Sequence, residues 1–100
     1  MTNILLVCSA GMSTSMLVKK MEQEAEKRGL DTHIWAVADA KAAENVEKAD
    51  VMLLGPQVRF MLDKMQALAG DTPVDVIDMR VYGAMNGAAA LDQALALIGK

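Results

Sequence analysis

Aromatic residues are almost missing from this chain of 100 residues, which holds one tryptophan, one tyrosine and one phenylalanine. Alanine, leucine, valine and methionine must therefore fill the core, and the nine methionines read first as adaptable gap filling. Cysteine occurs once, at Cys8, so no internal disulfide forms and a reducing compartment fits. Histidine also occurs once, at His33, which therefore lacks partners for a zinc-type site. A net charge of −3 argues against a nucleic-acid surface, which would want a basic stripe. No apolar run approaches the roughly 18 residues of a membrane span. Met1-Thr2-Asn3 leads directly into a short apolar run, without the basic region and cleavage site of a secretory signal. The expectation is a single cytoplasmic domain over residues 1–100, large enough to bury about two-thirds of its unfolded surface.

What is present alternates. Ile4 to Val7 is a continuous apolar run, as in a strand buried on both faces. Thr14 to Arg28 carries Leu17, Met21 and Ala25 at helical spacing, and Gly29 offers a C-terminal cap. Thr32 to Val37 is β-branched and aromatic, a second strand. Asp39 can cap a helix through about Glu47 with Ala42, Ala43 and Val46 inward. Val51 to Leu54 is a third strand, ended by Gly55-Pro56. Pro56 starts a helix striped by Val58, Met61, Leu62, Met65 and Leu68, and Gly70 ends it. Val74 to Ile77 is a fourth strand, and after Tyr82-Gly83 a last helix bears Leu91, Ala94, Leu95 and Ile98. This alternation predicts an α/β fold: an open, four-stranded parallel sheet with helices on both faces. Ligands of such sheets bind at the carboxyl ends of the strands, where strand order switches. Three loops meet there: 8–15, 55–57 and 78–83.

The first of these loops has a distinctive make-up. Cys8 ends a strand and is followed by Ser9, Ala10, Gly11, Met12, Ser13, Thr14 and Ser15 at a helix start. Small residues let the backbone curl so that several N–H groups converge, and the helix N-terminus adds positive partial charge. The result is a cradle sized for one phosphate, to which the hydroxyls of Ser9, Ser13, Thr14 and Ser15 can donate. The same setting favours an ionised sulfur, placed to attack phosphorus. A low-molecular-weight tyrosine phosphatase would carry arginine six residues after its cysteine. Thr14 stands there instead, so the fork that stabilises a transferring phosphoryl group during hydrolysis is missing. Three readings remain at this level: a carrier that holds a phosphoryl group on sulfur, a flavin- or nucleotide-binding module in which Cys8 is incidental, and a hydrolytic phosphatase. A receiver domain lacks its acidic pair after the first strand, and a thioredoxin-like role lacks a Cys-x-x-Cys motif.

The stretches LLVCSAGMSTSMLVKKM, ADVMLLGPQV and VIDMRVYGAMNG together resemble the IIB component of the lactose/cellobiose/chitobiose branch of the bacterial phosphotransferase system. The resemblance spans essentially the whole chain and implies a fold like that of the low-molecular-weight tyrosine phosphatases. It further implies a relay. A IIA partner hands a phosphoryl group from its histidine to Cys8, and the protein passes it to a disaccharide that the membrane-embedded IIC permease admits. By position, Cys8 becomes the phosphocysteine and residues Ser9 to Ser15 its cradle, with no cofactor and no metal. This family also lacks the phosphatase arginine. Cellobiose or chitobiose fits the motifs somewhat better than lactose, and a shuttling carrier with an accessible edge is expected to be a monomer.

Secondary candidates sit in the other two loops. Gln57 follows the third strand, where its amide can reach the phosphate or a loop carbonyl. Tyr82 can close the site, contact a partner or simply pack with a wet hydroxyl. Asp78 is expected to cap its loop, because a carboxylate beside a phosphate repels it. Met12 suits partner docking or core packing, Arg59 and Arg80 flank the edge as cations, and His33 is a strand residue remote from it.

Overall fold

The computed structural model describes residues 1–9 and 12–99, with the side chains of Met12 and Ser13 outside that description. Strands β1 (Thr2–Cys8), β2 (Thr32–Ala38), β3 (Val51–Leu54) and β4 (Val74–Val76) form one sheet in the order β2-β1-β3-β4. All its pairings are parallel. Helices α1 (Met12–Lys27), α2 (Ala42–Asn45), α3 (Leu62–Ala69), α4 (Met79–Gly83) and α5 (Gly87–Leu97) cover the two faces. The central pair explains itself by burial. Ile4, Leu5, Leu6 and Val7 of β1 and all four residues of β3 are inaccessible, as strands sandwiched between helical layers must be.

The period-two alternation of β1 divides the core. Ile4 and Leu6 face one layer, packing with Leu17, Met21 and Ala25 of α1 and with Ala90, Leu91 and Ala94 of α5. Leu5 and Val7 face the other, against Ala42, Val46, Val58 and Met65. By the same parity Cys8, two residues after Leu6, turns toward the layer of α1. Helix α1 ends as its sequence requires. Gly29 takes φ +70°, the Leu30 amide donates to Ala25 O (2.9 Å) and the Gly29 amide to Glu26 O (3.0 Å). Arg28 then donates to Asp92 Oδ1 (2.6 Å) and Glu24 Oε2 (2.8 Å), tying the end of α1 to α5. These bonds, Asp92 first, raise the guanidinium pKa above its ordinary value. The two helices also touch at Gly87, where an added Cβ would lie 2.4 Å from the Lys20 carbonyl carbon.

Four details depart from the sequence expectation. The segment expected as one helix from Asp39 is three short pieces: a 3₁₀ turn at Asp39–Lys41, α2, and a second 3₁₀ turn at Val46–Lys48. Ala42 and Val46 point inward as expected, but Ala43 is exposed. The helix after β3 begins as 3₁₀ from Pro56 to Met61, kinked at Val58, before α3 proper. Its stripe is correspondingly narrower: Val58 and Met65 are buried, Met61 and Leu62 half-buried and Leu68 exposed. Residues 79–83, expected as loop, form α4 because the Asp78 carboxylate accepts from the Arg80 amide (2.7 Å) and caps a turn. The last helix starts only at Gly87, where Asn86 Oδ1 accepts from the Ala89 amide (3.0 Å). No helix among the described residues is long and apolar enough to cross a membrane.

Candidate active site

The order β2-β1-β3-β4 makes the chain cross from one side of β1 to the other, so the topological switch lies between the carboxyl ends of β1 and β3. Cys8 occupies that position as the last residue of β1, paired with Ala38 of β2 on its outer side. On its inner side the β1–β3 register runs from Ile4↔Val51 to Val7↔Leu54, and the next residue of β3's chain is Gly55. The Gly55 amide donates to Val7 O (2.8 Å), holding the glycine against the strand end. A Cβ at Gly55 would stand 3.6 Å from Cys8 Cβ and 2.6 Å from Gln57 Oε1. Gln57 therefore folds its amide back over Gly55 into the surroundings of the cysteine. The side chain of Cys8 is only 2 % exposed.

Helix α1 starts four residues after Cys8, and its 16 residues aim a dipole N-terminus at that end of the sheet. Ser9 and Ser15 are exposed, whereas Thr14 is 1 % exposed. Its Oγ1 shares a hydrogen bond of 3.0 Å with the Tyr82 hydroxyl. The Thr14 hydroxyl, expected to donate to a phosphate, is here engaged with that phenol, and Tyr82, 8 % exposed, is not the wet phenol that ordinary packing predicts. Ala10 and Gly11, with the side chains of Met12 and Ser13, lie outside the described residues, so the centre of the expected cradle is not among them.

Beside this end of the sheet lies a hollow of about 290 Å³ lined by Pro56, Gln57, Arg59, Met79, Tyr82 and Gly83. It joins the loops after β3 and β4, and Gln57 and Tyr82 form part of its wall. Arg59 is exposed and steadied by donation from Nη1 to Pro56 O (3.2 Å), and Arg80 is exposed as well. Phe60 and Met79 are the most exposed large apolar residues here, at 80 % and 66 %. A larger hollow of about 520 Å³, lined by Met1, Asp50, Pro73, Leu97 and Ile98, lies at the opposite, amino-terminal edge and has no nucleophile. His33 is an exposed β2 residue stacked on Trp35 with ring centroids 4.7 Å apart, remote from Cys8.

The structure thus gathers Cys8, Gln57, Thr14 and Tyr82 at one sheet edge and leaves His33 away from it. Three contributors escaped the sequence reading. Gly55 was legible as a strand terminator opening an edge loop, but not as a neighbour of Cys8; the signal for that is register, since it falls opposite Cys8. The Thr14–Tyr82 bond links two residues 68 positions apart, which no local pattern announces. Met79 carried no sequence signal.

A family model described as PTS system, Lactose/Cellobiose specific IIB subunit, matches residues 3–93. The oligo-beta-mannoside-specific EIIB component of Bacillus subtilis is 47 % identical over 100 residues, covering 98 % of this chain and 97 % of the relative. The cellobiose-specific EIIB component of Lactococcus lactis is 47 % identical over 92 residues, covering 84 % of each chain. Among solved structures, the cellobiose-specific phosphotransferase IIB component from Borrelia burgdorferi superposes with TM-score 0.82 at 39 % identity, over 98 % of this chain and 92 % of that one. The lactose-specific IIB domain from Streptococcus pneumoniae gives TM-score 0.87 at 17 % identity over 96 % of each chain, a likeness of fold.

Proposed function

Because the chain belongs to the lactose/cellobiose-specific IIB family of the sugar phosphotransferase system, we propose that Cys8 is its phosphoryl acceptor. IIB components work with IIA and IIC partners on a sugar, and the expected relay fits the edge described above. The Cys8 sulfur attacks the phosphorus carried by a IIA histidine; the P–S bond forms as the P–N bond breaks, its electron pair returning to the imidazole. A hydroxyl oxygen of a β-linked disaccharide of cellobiose or chitobiose type, admitted by the membrane-embedded IIC permease, then attacks phosphorus. The P–S bond breaks and the sulfur leaves as thiolate, while the hydroxyl proton passes to water. The backbone amides from Ser9 to Ser15 and the N-terminus of α1 hold the charged group between the two steps. Gln57 donates an amide N–H to a phosphoryl oxygen from the β3 side.

The observation that carries this reading is the position of the only cysteine. It ends the central strand at the topological switch, beside the start of a long helix, in a chain matched to the family over nearly its whole length. With Cys8 2 % exposed, transfer requires its cover to give way. The carrier acts as a cytoplasmic monomer with its sheet edge open to successive partners. The test is incubation with a phosphorylated IIA partner, followed by intact-mass measurement and peptide mapping. One phosphoryl group on Cys8 is expected, and Cys8→Ser should keep a cooperative unfolding transition yet stay unmodified. Modification mapped to His33, or none in the unaltered protein, refutes the reading.

A further inference from the structure

The first turn of α1 and helix α4 leave the sheet on either side of β3, since the strand order runs β1-β3-β4. They are joined where Thr14 Oγ1 meets the Tyr82 hydroxyl at 3.0 Å. Both ends of this bond are anchored. Thr14 lies within α1, one turn ahead of the inaccessible Leu17 and the buried Val18. Tyr82 packs in the core with Leu6, Leu17, Ile77 and Leu91, and its amide donates to Asp78 O (2.9 Å) in a turn that the Asp78 carboxylate caps. A hydrogen bond between two nearly inaccessible hydroxyls is a costly thing to leave half-made, because the survivor stays desolvated without a partner. It therefore fixes the distance between the two elements more firmly than apolar contact alone.

We infer that the Thr14–Tyr82 bond is a positioning strut. It locks the amide end of α1 at a set height over the carboxyl edge, beside Cys8, so the donors that receive a phosphoryl group are arranged before the group arrives. Donors held in place in advance cost no reorganisation at the moment of transfer. The strut also withdraws the Thr14 hydroxyl from the phosphoryl group, leaving Thr14 to serve there through its backbone. Tyr82 and Thr14 are positioning residues, acting through the first turn of α1. This inference rests on the phosphocysteine reading for its purpose, but the strut itself can be tested without it.

Three variants and two measurements decide the matter. Tyr82→Phe and Thr14→Val each remove one hydroxyl at nearly constant shape, while Thr14→Ser keeps the hydroxyl. In the unphosphorylated protein, hydrogen exchange at the amides of residues 16–18, which bond back to the first-turn carbonyls of α1, should quicken by roughly tenfold in Tyr82→Phe and Thr14→Val. Exchange in β1 and β3 should stay slow, and Thr14→Ser should behave like the parent. With a phosphorylated IIA donor, the two hydroxyl-deleting variants should take up the phosphoryl group about 3- to 10-fold more slowly, the fold-change of one modest hydrogen bond. Their phosphocysteine ³¹P resonance should move. The double variant Thr14→Val/Tyr82→Phe should be no slower than either single one, because one bond is lost in each case. Unchanged exchange at α1 in both single variants overturns the strut, as does a Thr14→Ser protein that exchanges as fast as Thr14→Val. Altered exchange with parental uptake and an unmoved resonance overturns its role in transfer. Failure of the parent protein to accept a phosphoryl group at Cys8 instead overturns the phosphocysteine reading, and the exchange result still decides the strut.

Discussion

Replacing Gly55 by alanine separates the architecture of the site from its chemistry. Gly55 adopts φ −63°, ψ 150°, extended backbone that alanine takes readily and that a residue preceding proline prefers. Its lack of a side chain is therefore about room, not conformation. The new methyl would lie 3.5 Å from Val7 O and 3.6 Å from Cys8 Cβ, both ordinary contacts, but 2.6 Å from Gln57 Oε1. That last atom ends a flexible, exposed side chain and must retreat by roughly 1 Å to reach normal separation. Backbone and core stay put, so stability should hold or rise by about 0.4–1 kcal/mol as the unfolded chain loses freedom. The phosphoryl group on Cys8 would meanwhile lose a well-placed amide. A hydrogen bond to a charged group contributes about 1.5–3 kcal/mol, so a bond only partly lost should slow transfer from the IIA donor by about tenfold. Time-resolved intact-mass measurement gives the rate, and urea unfolding gives the stability. Gln57→Ala should slow transfer comparably, and adding Gly55→Ala to it should slow transfer no further. A Gly55→Ala protein at the parental rate beside a slow Gln57→Ala removes amide placement from the account. A further loss in the double variant means that the methyl obstructs the sulfur directly.

Two further substitutions test the frame and its outer surface. Gly87→Ala sets a methyl 2.4–2.7 Å from the carbonyl carbon, oxygen and Cβ of Lys20, two of them backbone atoms with little freedom. It should cost about 1–3 kcal/mol by overpacking, with a fall in melting temperature of about 4–8 °C per kcal/mol. Gly83→Ala, which meets nothing within 4 Å, is the control that should melt at or slightly above the parental temperature. Phe60→Ser removes a ring that is 80 % exposed on the connection after β3, so the melting curve should scarcely move. The second-order rate of transfer from the IIA protein should drop several-fold, as when a docking side chain near the centre of an interface is lost; an unchanged rate removes Phe60 from that surface.

The parts of the fold legible in the sequence were those fixed by short-range rules. Continuous apolar runs marked β1 and β3 because a strand covered on both faces needs no polar alternation. Gly29 marked the end of α1 because the left-handed residue of a helix cap is cheapest as glycine. The segment after β2 was misread as one helix because Ala42, Ala43 and Val46 fit a helical stripe in one dimension. Only Ala42 and Val46 find the core, and a run this short takes its winding from tertiary packing. Helix α4 was misread as loop because five residues are too few for a hydrophobic period, although Asp78 supplied its cap. At the site, Cys8 and its place at the strand end were legible from pattern alone. The bond from Thr14 to Tyr82 was not, because it depends on how two connections return to one edge, and nothing local encodes that distance.

The same bond bears on the proposed carrier role of this edge, as against hydrolysis. In the phosphatase pattern, the sixth residue after the cysteine brings a fixed cation to the transferring group. Here that residue is Thr14, and its side chain is turned inward, 1 % exposed and bonded to Tyr82. The position is therefore not merely vacant of charge; it is occupied by a neutral pair that holds two connections together. Among the described residues the cations near the edge, Arg59 and Arg80, are exposed on the connections after β3 and β4 rather than beside Cys8. A phosphoryl group on Cys8 would be gripped chiefly by neutral main-chain donors and one amide side chain. Such donors stabilise the resting charged group without the extra cationic pull that favours the transition state for attack by water. On the phosphocysteine reading proposed above, the partner that consumes the phosphoryl group would complete the electrostatics itself, tying release to docking.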